Sequence, residues 1–193
     1  MPNWCDNIVS ITGPTEKLQI LYQDIHKEDS GLLNALVPQP ENIFRGSLGK
    51  KKRELCEENG IPNWYDWNLS NWGTKWDVNH RDLHVDLHVE ITDHEDGTSN
   101  IECSFLTAWS PPDKAFETYC SKNLDVGCEL SFFEPGMGFV GSAVFQDGHA
   151  EIGDFAVGSV SDLEHVPLRL VEQFNMREVY EAWEECEDEE EAA

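Results

Sequence analysis

The sequence predicts an α+β protein: a ferredoxin-like βαββαβ antiparallel sheet with a long aromatic insert, extra C-terminal strands and a C-terminal acidic helix. Three observations lead there. The hydrophobic period runs strand, helix, strand, strand, helix, strand between Asn7 and Glu134, the order of the split βαβ motif. Five large aromatics, Trp64, Tyr65, Trp67, Trp72 and Trp76, crowd the stretch between the first helix and the second strand. The charge is lopsided: residues 123–193 hold 18 Asp or Glu against Arg169 and Arg177, so 2 − 18 = −16 of the net −25 lies in the last third of the chain.

Each element follows from its pattern. Asn7–Thr12 alternates as a strand, and Gly13-Pro14-Thr15 breaks it to open a helix carrying Leu18, Leu21, Tyr22 and Ile25 to about His26. Asp29–Gly46, with Gly31, Pro38 and Pro40, reads as a connection with little regular structure. Ser47–Asn59 reads as helical and holds Lys50, Lys51, Lys52 and Arg53, beside Arg45. That basic run is either a phosphate or RNA contact, or else a solvated helix turn or an internal counterweight to the acidic C-terminal part, and the latter is the expectation. Asp82–Thr92 alternates Leu83, Val85, Leu87, Val89 and Ile91 against His84, Asp86, His88 and Glu90. A polar turn at Gly97 returns the chain through Asn100–Ala108, and Pro112–Leu124 forms the second helix with Ala115, Phe116 and Tyr119 inward. Strands follow at Cys128–Glu134, Phe139–Phe145 and, past an Asp147-Gly148 turn, Ala150–Val157. A capping box at Ser161-Asp162-Leu163-Glu164 precedes a helix from Pro167, with Leu168, Val171, Phe174, Val179, Ala182 and Trp183 as its inward stripe. Residues 1–158 are thus expected as one domain with an insert at about 30–80, and 159–193 as an acidic helix packed on or extending from it.

Composition narrows the function classes. Charge this negative argues against direct nucleic-acid binding, which needs a basic footprint. The six cysteines form no C-x-x-C pair and are irregularly spaced, so neither a zinc framework nor a disulfide scaffold is expected. No leader and no run of 18 apolar residues stands in the chain, which points to the cytoplasm.

Four motifs stand in order: Met1-Pro2-Asn3-Trp4-Cys5-Asp6-Asn7, Trp72-Gly73-Thr74-Lys75-Trp76-Asp77, Phe105-Leu106-Thr107-Ala108-Trp109-Ser110-Pro111-Pro112 and Glu134-Pro135-Gly136-Met137-Gly138-Phe139. Over residues 1–145 this resembles the YubB-like family of plasmid and bacteriophage proteins. The resemblance implies a ferredoxin-like domain without an iron–sulfur cluster, in a mobile-element accessory protein inside a bacterial host cell. It implies no catalytic residue.

Two weaker patterns need weighing. Gly136–Gly141 matches G-x-G-x-x-G, but a strand follows instead of the helix that a pyrophosphate requires, so a bulge or tight bend is expected. His84, Asp86 and His88 share a strand face. Histidines at i and i+4 on a strand stand about 13 Å apart, too far to share a metal unaided. A polar sheet face is the expectation, and a small metal-dependent enzyme is the alternative.

The function expected is a non-catalytic inhibitor without a cofactor. Its partner would be a basic host protein, a nucleic-acid-binding defence complex of the CRISPR or restriction type. Acidic mimicry would use Glu178, Glu181, Glu185 and Asp188, with Glu184 and Glu187 beside them, and Trp64, Trp67 and Trp72 would serve as interface aromatics. A regulatory domain whose acidity only aids solubility is the remaining alternative. Trp72, Trp76 and Trp109 are expected to be largely buried.

Overall fold

The computed structural model describes residues 3–28, 30–79 and 86–191, with side chains to residue 186. Six antiparallel strands form one sheet in the order β2-β3-β1-β4-β5-β6. They are β1 (Trp4–Pro14), β2 (His88–Asp93), β3 (Thr98–Ala108), β4 (Gly127–Glu134), β5 (Phe139–Gln146) and β6 (His149–Ala156). The first four have the strand order of the split βαβ unit, and β5–β6 add a hairpin beside β4. Asp147 and Gly148 both take positive φ, which the tight turn between β5 and β6 requires.

Helices α1 (Thr15–Ile25) and α5 (Asp113–Lys122) cover one face. Leu18, Leu21, Ile25, Ala115, Phe116 and Cys120 meet Val9, Ile11, Ile101, Cys103, Phe105, Cys128 and Leu130 in the main core. Between α1 and β2 lie α2 (Leu32–Leu36), α3 (Lys50–Glu58) and α4 (Trp64–Asn71). The segment expected to be irregular therefore contains a short helix, because Leu32, Leu33 and Leu36 bury against the main core. Asp77 holds that helix in place: its Oδ1 accepts the N–H groups of Leu33 at 2.8 Å, Asn34 at 3.3 Å and Val78 at 2.8 Å.

A second core lies on the opposite face, over β4–β6. Phe133, Val140 and Val157 pack there with Leu163, Val166, Leu170, Val171, Met176 and Tyr180. These come from a 3-10 turn (Val160–His165), α6 (Leu168–Gln173) and α7 (Met176–Glu191). The cap lies two residues earlier than expected: the Asp162 carboxylate accepts the N–H of Gly158 at 2.9 Å and of Ser159 at 3.0 Å. The single C-terminal stripe is also corrected. Asn175 takes φ 52° and separates two helices, so the helical phase shifts there. Leu168 and Trp183 stay exposed, while Leu170, Met176 and Tyr180 turn inward. The Tyr180 hydroxyl donates to Val157 O at 2.9 Å and pins α7 to the end of β6.

Only part of the alternating run before Thr92 is observed as strand. β2 begins at His88, since Asp86 takes φ 44°. His84 and the start of that run lie outside the described residues. No helix among the described residues is long and apolar enough to cross a membrane.

Candidate functional site

Period-two alternation leaves the sheet with one helix-covered face and one partly open face. On the open face the register aligns residues from all six strands in a single transverse row. Glu90 faces Glu102, Glu102 faces Ser10, Ser10 faces Glu129, Glu129 faces Val144, and Val144 faces Glu151. At about 4.8 Å per strand the row spans about 24 Å. All four glutamates are exposed, and none makes an ion pair with a described residue. Glu102 is oriented rather than free: Asn100 Nδ2 donates to it, while Asn100 Oδ1 accepts the hydroxyls of Ser10 at 2.9 Å and Thr12 at 3.3 Å. The parallel row beside it, His88, Ser104, Ile8, Ser131, Ser142 and Gly153, carries one histidine and no carboxylate.

Helix α6 bounds this face. Arg169 Nη2 donates to Ser142 Oγ at 2.8 Å. At the α6–α7 junction, Gln173, Phe174 and Asn175 stand over a cleft of about 320 Å³ floored by Asp6, Ile8, Ser104 and Leu106 and edged by Asp86. Desolvation raises the Asp6 carboxyl above its ordinary range. Asp86 and His88 pair at 3.3 Å at the rim, both well exposed. Among the described residues, no three His, Cys, Asp or Glu side chains converge as metal ligands.

The acidic positions named from the sequence fall into three groups. Glu181 and Glu185 are exposed on α7 and make no hydrogen bond or ion pair with a described residue. Glu178 and Glu184 are exposed but have structural partners: Glu178 accepts from Asn175 Nδ2 at 2.8 Å, and Glu184 from the Val160 N–H at 3.2 Å. Glu187 and Asp188 lie on α7 beyond the described side chains. The glutamate row of the sheet was not anticipated. Glu90, Glu102 and Glu129 each stand on the outward side of an alternating strand, but only the pairing register aligns them.

Among the aromatics, Trp72 cannot anchor an interface. It is 1% exposed, its indole N–H donates to Val37 O at 2.9 Å, and Trp67 stacks edge-on at 5.4 Å. Trp64 and Trp67 are half-buried. Trp76 is half-buried too, edge-on to Trp4 at 6.2 Å. Trp109, expected inside, is 43% exposed. It follows the last residue of β3 with φ 74°, so the strand's alternation no longer sets its direction.

The four sequence motifs meet at one end of the sheet. Asn7 Nδ2 donates to Cys5 O at 2.8 Å and to Thr107 Oγ1 at 2.8 Å, and Thr107 Oγ1 donates to Ser110 O at 2.8 Å. Ser110 Oγ donates to Gly73 O at 2.7 Å, Thr74 Oγ1 to Ala108 O at 3.0 Å, and the Trp109 N–H to Asn3 O at 3.0 Å. The buried Glu134 carboxylate accepts the N–H groups of Gly136, at 3.2 Å, and Met137. This closes the turn before β5, and Gly138 takes φ 71° there. The glycine run is therefore a tight bend. The motifs satisfy buried polar groups where loops cross, which is a structural task.

A family model matches part of the chain. Residues 71–164 match the model of the ferredoxin-like domain in Api92-like protein. The matched stretch runs from the last residue of α4 into the 3-10 turn. It contains three of the four motifs and leaves β1 and α1 outside. The crystal structure of a protein api92 from Yersinia pseudotuberculosis is similar at 11% identity and a TM-score of 0.46, covering 82% of this chain and 99% of that one. No curated protein matches.

Proposed function

We propose that this protein is a non-catalytic inhibitor that binds a basic, nucleic-acid-binding host protein through its open sheet face and helix α7. One observation carries the reading: four exposed glutamates stand in one row across six strands, with Glu90 directly opposite Glu102. Like charges directly opposite are destabilising by roughly 0.2–1 kcal/mol. Solubility needs net charge, not charges aligned against each other. A row about 24 Å long fits along a basic channel. The exposed Glu181 and Glu185 extend the acidic surface on α7. In the finer reading, the protein belongs to a phage or plasmid, acts in the bacterial cytoplasm and blocks a defence complex of the CRISPR or restriction type. The YubB-like resemblance is its support.

The test is capture from bacterial lysate. Tagged protein should recover a nucleic-acid-binding protein that added DNA displaces. Combined reversal of Glu178, Glu181 and Glu185 to Lys should lower recovery while leaving the fold intact. Recovery unchanged by DNA and by the reversal would contradict the proposal.

A further inference from the structure

The bases of the chain are as segregated as its acids. Arg45, Lys50, Lys51, Lys52 and Arg53 make five of the 13, and all are exposed. Within α3 they occupy the first turn, while Glu54, Glu57 and Glu58 follow. This runs against the helix macrodipole at both ends, which folding alone does not favour. Arg45, Lys50 and Lys51 make no ion pair with a described residue.

Aromatic rings stand among these bases. The loop at Phe44 is tied to the start of α4: the Phe44 N–H donates to Pro62 O at 2.8 Å, the Trp64 N–H to Phe44 O at 3.0 Å, and Trp64 Nε1 to Gly46 O at 3.1 Å. Trp64 and Tyr65 stack edge-on at 5.6 Å, both half-buried. Arg53 lies over the Tyr65 ring at 4.9 Å and also reaches Asp66 at 3.4 Å, and Lys52 stands 6.0 Å from the Phe44 ring. Three separate segments thus meet here: Lys52 and Arg53 of α3 stand against Phe44 and Tyr65, and Arg45, Lys50 and Lys51 adjoin them in sequence.

We propose that this surface binds single-stranded nucleic acid, with phosphates on Arg45, Lys50 and Lys51 and bases against the Trp64–Tyr65 pair. Basic grooves with aromatic platforms suit single strands because unpaired bases expose their faces, whereas a duplex offers these rings only phosphates. The acidic face does not cancel the patch. Helix α4 packs on α5, on the helix-covered side of the sheet. Arg53 contacts Tyr65 and Asp66 of α4, so the patch adjoins the helix layer, and the glutamate row stands on the other face of the sheet. This surface is distinct from the proposed partner face, and it departs from the expectation of no direct nucleic-acid contact.

The experiment is fluorescence anisotropy with a dye-labelled oligothymidylate of about 12 nucleotides, across a range of salt. Saturable binding is expected, weaker for a duplex of the same length. Lys50→Gln with Lys51→Gln should weaken binding and lower the log–log salt slope by about 1.4, two contacts at about 0.7 each. Both positions are exposed and make no ion pair with a described residue, so the fold should survive, as circular dichroism would show. Tyr65→Ala should weaken binding with little change in slope. No binding at low salt would overturn the proposal. So would binding unaffected by the double lysine variant, or polyglutamate held as tightly as the oligonucleotide. Sedimentation showing that the patch instead docks the acidic helix of a second copy would also overturn it.

Discussion

Glu90 on β2 and Glu102 on β3 stand directly across from each other on the open face, and neither makes an ion pair with a described residue. Glu90→Lys should therefore raise stability by about 0.2–1 kcal/mol, since it turns a repulsive cross-strand pair into an attractive one. Urea denaturation at low salt measures it, and the gain should shrink as salt rises. The same change should weaken partner capture. A stabilising variant that loses function would mark the pair as kept for binding.

Trp72 fills the junction between the helical insert and the main core. Trp72→Ala should cost about 3–5 kcal/mol, from the cavity left and from the unsatisfied Val37 carbonyl. A smaller loss in chemical denaturation would mean that the insert packs more loosely than the contacts indicate.

Asp77 gives a signed pH dependence. Burial, partly offset by the backbone N–H groups it accepts, raises its carboxyl from 3.8 to about 6. A folded pKa above the unfolded one means that the native state binds more protons between the two values. This contribution is fully present below about 4 and is lost as pH rises through 6. Asp77→Asn should flatten that component, seen as a shallower fall in thermal midpoint between those pH values. An unchanged profile would contradict the assignment.

Thiol chemistry reports the main core. Cys5, Cys56, Cys103, Cys120 and Cys128 are buried, and Cys186 is exposed. Burial pushes the Cys103 thiol up to about 12 and raises Cys5 as well. Since a reagent must reach the sulfur before it can react with the thiolate, native protein should label quickly at Cys186 alone, and the five buried thiols should react only on unfolding. Rapid labelling of a second cysteine, read by mass spectrometry, would locate an opening in the fold.

The sheet was legible because alternation has a period of two and its turns carry Gly97 and Asp147-Gly148. The C-terminal segment was read less well. Asn175 is the one local signal, since asparagine takes the left-handed conformation more readily than most residues, but the apolar spacing continues across it and suggests one stripe where there are two helices. Trp109 misled for a related reason: hydrophobicity says inside, while a positive φ past the end of β3 turns the backbone away. The acidic helix was visible as composition, but the glutamate row was not, because register joins residues 61 positions apart, Glu90 to Glu151, that no local pattern connects.

The most direct measurement is the salt dependence of partner capture by wild-type protein and by a variant with Glu90, Glu102 and Glu129 changed to Lys. Attraction across a charged interface weakens with screening. The account predicts that wild-type capture falls steeply with rising salt and that the folded triple variant captures little at any salt. Equal capture by both proteins, insensitive to salt, would contradict it.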